Sequence, residues 1–181
     1  MPDYHRVYVN GGTYFFTVVT YMRHPIFKGE TAIRLLKKNC FQMTIKKYPF
    51  YVDAIVIMPD HLHTIWTLPD GEFDFSVRWK RIKSTFSRLY SQNRARNLTQ
   101  SMINKKEKGI WQRRFWEHTI RSQEDFNNHC DYIHYNPVKH GLVNLPMERE
   151  HSSFRKFVEK GLYDKDWGKV KRRELIEMDL E

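Results

Sequence analysis

The sequence feature that most constrains the fold is a pair of apolar runs separated only by the dipeptide Pro59-Asp60. Residues 50–58 and residues 61–68 are both rich in β-branched and aromatic side chains. Such runs form strands, and Pro and Asp favour tight turns, so this segment predicts an antiparallel hairpin. A third run of the same kind, residues 13–20, follows two glycines and predicts another strand.

Two segments show helical spacing instead. Between Glu30 and Lys47, apolar residues recur three or four positions apart, at Ile33, Leu36, Cys40 and Met43. A second helix is marked by Phe75, Trp79, Ile82, Phe86 and Leu89, with Asp74 or Ser76 as its N-cap. This spacing is typical of amphipathic helices that bury one face.

Further along the chain, residues 93–109 lack any period and predict a mobile loop, and residues 113–121 predict a fourth strand. A third helix is expected to open at Ser122 and to stop at Asn136, because Pro137 follows. The resulting order indicates an α+β fold, a ferredoxin-like or RRM-like antiparallel sheet with helices packed on one face. We expect residues 1–147 to form this domain, and residues 148–181 to form a helical extension with a charged tail.

The composition excludes several protein classes. The longest apolar run, Ala54 to Met58, is far shorter than a membrane span, and the first residues lack a secretory signal pattern, so a cytoplasmic location is expected. The two cysteines, Cys40 and Cys130, show no paired spacing and are predicted to be buried, reduced thiols.

The positive charge of the chain is concentrated in one segment. The net charge is +10, and between Arg78 and Arg114 there are twelve basic residues and one acidic residue. Basic groups interleaved with aromatic rings suit a phosphate backbone and unstacked bases, although a merely basic, soluble surface is the alternative. The predicted nucleic-acid contacts are Arg78, Trp79, Arg81, Lys83, Arg88, Arg113, Arg114 and Trp116.

His61 and His63 are the first candidates for chemistry. Residues two apart on a strand point to the same face, so the two imidazoles could converge on one metal ion. A single His-x-His pair is a weak signal, however, and two histidines that merely follow a turn are an equally good interpretation.

Tyr132 and Asn136 lie one helical turn apart, on the same side of the third predicted helix. Tyr132 lies about 120° from the centre of the apolar stripe of that helix, so it is not needed for packing. The alternatives are a tyrosine on an exposed helix flank and an ordinary Asn-Pro turn. Tyr135 is ranked below Tyr132, because Lys139, one turn further on, is not a metal ligand.

Together these motifs resemble the HUH single-strand nucleases, and most of all their REP-associated tyrosine transposases. The matching stretches, in chain order, are residues 11–17, 58–69, 110–118 and 131–141, with a weaker match at 161–163 and 166–167. The family has no evident counterpart for the tail after Trp167, and the loop at 93–109 is long for it.

The resemblance implies a domain that cuts and rejoins single-stranded DNA beside hairpins of REP palindromes. His61, His63 and Asn136 would be ligands of Mg²⁺ or Mn²⁺, and Tyr132 would be the nucleophile that forms a 5′-phosphotyrosine intermediate. We also expect no membrane partner, no nucleotide cofactor, a nucleoid-associated location and a monomer in preference to a dimer.

Two other functions remain open at this point. One is a non-catalytic nucleic-acid-binding module or regulator that uses the same basic and aromatic surface. The other is a metal-dependent nuclease that uses water, with Tyr132 as a spectator. The sequence assigns no role to Glu117 or His118, since Glu117 is as well explained by a cross-strand ion pair as by a place near the metal.

Overall fold

The computed structural model describes residues 7–90, 98–170, 173–178 and 180. Its sheet has four strands, β1 (Thr13–Val19), β2 (Tyr51–Ile57), β3 (His61–Thr67) and β4 (Trp116–Thr119). Their order across the sheet is β2-β3-β1-β4, and every neighbouring pair is antiparallel. This ferredoxin-like order confirms the predicted fold class, and the turn at Pro59-Asp60 joins β2 to β3 as expected. The prediction that helices pack on one face only is wrong, because α5 (Gln123–Lys139) follows β4 and covers the second face.

The first face of the sheet is covered by the helices that precede β2 and β4. They are α1 (Glu30–Arg34), a π-helical segment (Leu35–Phe41), α2 (Gln42–Lys47) and α3 (Phe75–Tyr90). Alternate strand residues such as Phe16, Leu62 and Trp66 bury their side chains against these helices. The predicted cap of α3 is present, because Oδ1 of Asp74 accepts a hydrogen bond from the amide of Val77 at 3.0 Å.

The second face is covered by α5 (Gln123–Lys139), which packs Cys130 and Ile133 against Phe15, Val56 and other strand residues. Ser122 caps α5, since its hydroxyl accepts from the Asp125 amide at 3.1 Å. The prediction that the helix stops at Asn136 is wrong. Pro137 removes only one N–H from the helical ladder, and the helix continues to Lys139, just before Gly141 with its positive φ of 65°.

The C-terminal extension also packs on this side of the sheet. It contains α6 (Phe154–Glu159) and α7 (Arg173–Glu177), and the Ser153 amide donates to the carbonyl of Ile55 on the edge strand β2 at 2.8 Å. The imidazole of His134 is buried between α5 and this extension, within 4.6 Å of the Phe157 ring.

Two other boundaries differ from the prediction. The segment predicted as a loop contains a short helix, α4 (Gln100–Asn104), and its part at 93–97 lies outside the described residues. Thr99 provides the cap, because its hydroxyl accepts from the Met102 amide at 3.3 Å. The fourth strand is confined to Trp116–Thr119, the residues that pair with β1 in continuous register.

Both cysteines are free and buried, as expected. Across the ranges that the structure describes, no helix is long and apolar enough to cross a membrane.

Candidate active site

His61 and His63 point from β3 toward the second face of the sheet. Both side chains are buried, and their ring centroids are 4.8 Å apart. The structure therefore brings the two imidazoles together, as the alternation of side chains along a strand requires.

The hydrogen bonds of His63 define its tautomer. The Thr17 hydroxyl donates to the carbonyl of Leu180 at 2.6 Å, so its single proton is used there. Its 2.9 Å contact with Nδ1 of His63 must then be donated by the imidazole. Nε2 consequently carries the lone pair, and it has no hydrogen-bond partner among the described residues. Burial also holds the pKa of His63 well below its ordinary value, so the ring is neutral, which is the form that binds metals.

His61 is oriented in the same way by a carboxylate. Its Nδ1 lies 2.6 Å from Oδ1 of Asp60, and Arg23 binds the other oxygen of that carboxylate at 3.0 Å. Burial alone would raise the pKa of Asp60, but the hydrogen bonds and charges of His61 and Arg23 lower it to about 2. An imidazole that donates one nitrogen to a carboxylate presents the other to a metal, a common arrangement around metal sites.

Asn136 contributes a further donor from α5. Its side chain is 1% exposed, and neither Oδ1 nor Nδ2 has a hydrogen-bond partner within the described part of the chain. A buried amide without partners costs free energy, so this group is poised for a ligand. Two imidazoles and an amide oxygen form a donor set that fits a divalent ion such as Mg²⁺ or Mn²⁺.

Tyr132 lies against the histidine pair. Its ring centroid is 5.1 Å from that of His63 and 6.0 Å from that of Phe15, and its side chain is 1% exposed. The alternative of a partly exposed tyrosine on a helix flank is therefore wrong, and so is the inference that Tyr132 is not needed for packing. The sheet and the C-terminal segment cover a wider arc of α5 than its apolar stripe indicates. The competing Tyr135 packs instead near Trp167, with ring centroids 6.3 Å apart.

The end of the chain reaches the same face of the sheet. The carbonyl of Leu180 contacts Thr17, and the carbonyl of Met178 accepts a hydrogen bond from Nζ of Lys139 at 2.7 Å. This lysine nitrogen lies 5.2 Å from the centre of the Tyr132 ring. The sequence predicts only a charged tail here, with no part in the site. The structure corrects this interpretation.

The basic segment forms a groove on the other face of the sheet. The groove has a volume of about 700 Å³ and runs between α3 and the residues that lead into β4. Its basic lining consists of Lys80, Lys83, Arg88, Lys105, Lys106, Lys108 and Arg113. Arg88, Arg113 and Arg114 are exposed, and Arg81 and Lys83 are half-buried. Part of the charge of Lys83 is used internally, since its Nζ donates to the Gln112 carbonyl at 2.6 Å.

Two of the predicted nucleic-acid contacts are wrong, because Arg78 and Trp79 are completely buried. The guanidinium of Arg78 donates to the Pro49 and Asp74 carbonyls at 2.8 and 2.7 Å. Trp79 stacks on Trp66 with centroids 4.2 Å apart. Both residues pack α3 against the rest of the fold, so they stabilise the core and are not available to nucleic acid.

A second cluster, His118, Asp125 and His129, joins β4 to the first turns of α5. One donor atom from each residue lies within 4.8 Å of the others, as in many metal sites. The ring nitrogens already have partners within the cluster, however. Nε2 of His118 donates to the Asp125 carboxylate at 2.9 Å, and Nδ1 of His129 donates to the Asp125 main-chain carbonyl at 2.8 Å and lies 3.0 Å from the carboxylate. Glu117 lies between Trp116 and His118 on β4, so its side chain points to the first face of the sheet, where it is buried. It therefore does not reach His61 and His63 on the second face.

Sequence reasoning missed Thr17, Asp60 and Leu180 as supports of the two imidazoles. Asp60 could have been suspected from its position beside His61 in the turn. Thr17 and Leu180 are far from His63 along the chain, and no local pattern indicates their contact.

Known proteins share this arrangement of sheet, helices and motifs. Residues 8–136 match the family model described as transposase IS200 like. The chain is 40% identical over 167 residues to a REP-associated tyrosine transposase of Escherichia coli (strain K12), covering 92% of this chain and 91% of that one. It is 38% identical over 168 residues to a Haemophilus influenzae protein assigned to the same group, covering 93% and 94% of the two chains.

A solved structure of a REP-associated tyrosine transposase bound to a REP hairpin also matches, with a TM-score of 0.74 and 38% sequence identity. The match covers 92% of this chain and 91% of that one. The chain thus belongs to the IS200-like transposase family and, within it, to the REP-associated tyrosine transposases.

Proposed function

We propose that this transposase is a metal-dependent single-strand DNA endonuclease and strand transferase that acts on REP-type hairpins through a 5′-phosphotyrosine intermediate. The observation that carries the proposal is the contact of the Tyr132 ring with His63, at 5.1 Å between centroids. It supports the proposal because the phenol lies beside the two imidazoles that would bind the metal. The proposed catalytic residue is Tyr132, and the proposed metal ligands are His61, His63 and Asn136.

The three ligands would bind the ion through Nε2 of each imidazole and Oδ1 of the Asn136 amide. A bound Mg²⁺ or Mn²⁺ would supply positive charge next to the phosphate and favour attack on it. A tyrosine of ordinary pKa is only about 0.1% ionised at neutral pH, so this charge also favours the phenolate.

In the proposed reaction the phenolic oxygen of Tyr132 attacks the scissile phosphorus in line with the leaving oxygen. The Tyr–O–P bond forms, the P–O3′ bond breaks, and the phenolic proton is transferred to the leaving 3′-oxygen through solvent. The products are a 5′-phosphotyrosine and a free 3′-hydroxyl. Attack by a 3′-hydroxyl reverses the step and restores Tyr132, so rejoining the DNA requires no nucleotide cofactor.

The basic groove is the proposed binding surface for the hairpin. The related transposase was solved with a REP hairpin, and a groove with seven basic side chains suits a phosphate backbone. The groove and Tyr132 lie on opposite faces of the sheet, and the edge strand β4 separates them. We therefore propose that the hairpin occupies the groove and that its single-stranded flank passes around β4 to Tyr132.

A denaturing gel of the protein incubated with labelled hairpin DNA and Mn²⁺ tests this function. The wild-type protein and Tyr135→Phe should form a covalent adduct, and Tyr132→Phe should bind DNA without forming one. Cleavage by Tyr132→Phe without adduct would show a water-using nuclease. Absence of both products from the wild-type protein would show a binding module.

A further inference from the structure

We infer that Trp116 and His118 form a stacking platform for an unpaired nucleobase of the strand that Tyr132 cuts. This inference rests on the proposed function and adds to it the subsite that holds the base. The two residues belong to the Trp116-Glu117-His118 motif, which the metal and nucleophile assignments leave without a role.

Trp116 is an exposed aromatic ring at the edge of the sheet. Its exposed fraction is 38%, and the His118 ring next to it is tilted by only 8°, with a centroid separation of 6.1 Å. Both side chains project from the second face, because they are two residues apart on β4. An exposed tryptophan next to a parallel imidazole provides the flat surface on which an unpaired base can stack.

The position of the His118 ring is fixed by contacts with Asp125 and His129 of α5. Nε2 of His118 donates to the Asp125 carboxylate, with contacts of 2.9 and 3.1 Å, and the Arg121 amide donates to the same group at 2.9 Å. The His129 ring lies behind that of His118, with centroids 4.6 Å apart and planes 14° apart. Asp125 and His129 are thus positioning residues for a surface that is ordered before DNA binds.

The platform adjoins the nucleophile. Trp116 is the cross-strand partner of Thr17, the residue that bonds His63. The Trp116 ring is also 5.6 Å from that of Phe15, which in turn contacts the ring of Tyr132 at 6.0 Å. A base on the platform would therefore belong to a nucleotide next to the scissile phosphate.

The chemistry of the platform distinguishes a base from other ligands. A phosphate is disfavoured by the Asp125 carboxylate, whose pKa is lowered: burial alone would raise it, but the His118 and Arg121 hydrogen bonds outweigh burial. A metal ion is disfavoured because His118 Nε2 uses its proton in a hydrogen bond to the Asp125 carboxylate, and His129 Nδ1 uses its proton in one to the Asp125 main-chain carbonyl. A base that stacks on the ring faces of Trp116 and His118 needs no contact with the Asp125 carboxylate or with the imidazole nitrogens.

The experiment uses hairpin substrates in which each nucleotide near the cut is replaced, one at a time, by an abasic site. On intact DNA, Trp116→Ala should slow adduct formation at least tenfold, and Trp116→Phe should retain most of the rate. On the substrate that lacks the stacked base, the wild-type protein and Trp116→Ala should react at equal rates. Asp125→Asn should show the same dependence on that one base with a smaller loss.

Tyr51→Ala is the matched control, because Tyr51 is 65% exposed on the opposite edge strand, and it should react like the wild-type protein. A loss in Trp116→Ala that is equal on every abasic substrate, or no loss on intact DNA, would overturn the platform. The binding of catalytically inactive Tyr132→Phe to DNA that carries 2-aminopurine provides an independent test. Its fluorescence should be quenched by stacking at one position only, and Trp116→Ala should abolish that quenching. The platform is therefore tested even if no adduct forms.

Discussion

The hydroxyl of Thr17 lies 2.9 Å from Nδ1 of His63 and fixes which nitrogen of that imidazole is free. The two residues face each other across β1 and β3, so the contact follows directly from the register of the sheet. Because the hydroxyl donates its own proton to the Leu180 carbonyl, it accepts the Nδ1 proton of the imidazole. The lone pair on Nε2 therefore remains available. One threonine in a central strand thus orients a proposed metal ligand.

Replacement of Thr17 by Val should weaken metal binding while preserving the β-branched shape of the side chain. Loss of a hydrogen bond behind a metal-binding histidine typically lowers metal affinity by about 10- to 100-fold. Isothermal titration with Mn²⁺ should show this loss in Thr17→Val and little loss in Thr17→Ser, which keeps the hydroxyl. Equal affinities of the wild-type protein and Thr17→Val would show that His63 is not held by this contact.

Removal of either imidazole should abolish cleavage, a larger effect than that of replacing Thr17. His61→Ala and His63→Ala should form no adduct in Mn²⁺, yet bind the hairpin nearly as well as the wild-type protein, because the basic groove lies on the other face of the sheet. Excess EDTA should stop the wild-type reaction, and added Mg²⁺ or Mn²⁺ should restore it only in that protein. A wild-type reaction that persists in EDTA would exclude the two-histidine metal site.

The strands and the histidine pair could be read from the sequence because both depend on local alternation. The π-helical segment, the short helix α4 and the passage of α5 through Pro137 could not, since tertiary packing overrides the local signals there. Helical angles placed Tyr132 off the apolar stripe of α5, but they do not show how much of a helix its neighbours cover.

The basic residues of α3 show the same limit. Charge counting grouped Arg78 with Arg88, although one is completely buried and the other exposed. The sequence does not show that an arginine is buried, because this depends on its hydrogen-bond partners in the fold. For Arg78 these include the carbonyls of Asp74 and of Pro49, and Pro49 is distant along the chain.

Deletion of residues 178–181 should weaken metal binding and slow adduct formation. The carbonyl of Leu180 accepts the proton of the Thr17 hydroxyl, so Nδ1 of His63 is the donor in its contact with Thr17 and the lone pair stays on Nε2. Without Leu180 the Thr17 hydroxyl can donate to Nδ1 instead. Loss of such a contact behind a metal-binding histidine typically lowers metal affinity about 10- to 100-fold, which isothermal titration with Mn²⁺ measures. A faster reaction of the shortened protein would show instead that the tail only covers Tyr132.

The buried His134 should make stability depend on pH. Burial lowers the pKa of His134 from 6.5 to about 3, so the folded protein keeps this ring neutral while the unfolded chain takes up a proton below about pH 6.5. The stabilisation is therefore complete above pH 6.5 and is lost as the pH falls toward 3. One pH unit corresponds to about 1.4 kcal/mol, so His134 should account for a loss of about 2 kcal/mol between pH 6.5 and 5.

Urea unfolding at these two pH values measures the effect. The wild-type protein should lose more stability than His134→Gln on acidification, because the variant lacks the titrating group even if it is less stable at both values. Identical pH dependence in the two proteins would show that His134 is protonated in the fold or is not the group responsible.

The last prediction concerns the form of DNA that the protein prefers, and it combines the groove with the exposed rings. Charge alone binds any nucleic acid, with log affinity falling against log salt by about 0.9 per phosphate contacted on duplex and about 0.7 on single strands. Each stacked, unpaired base adds about 1–3 kcal/mol that a blunt duplex cannot provide. A hairpin with a 5′ single-stranded flank should therefore bind at least about tenfold tighter than blunt duplex of equal length, a difference of about 1.4 kcal/mol.

Charge removal in the groove separates these two contributions. Lys80→Ala combined with Arg88→Ala should weaken the binding of both DNA forms and flatten the salt dependence, but leave the preference for the flanked hairpin unchanged. Lys46→Ala combined with Lys47→Ala removes the same charge from an exposed site on α2 outside the groove, and it should have little effect. Equal affinity of the wild-type protein for blunt duplex and flanked hairpin at near-physiological salt would favour a merely basic surface, because the exposed rings would then contribute nothing to recognition.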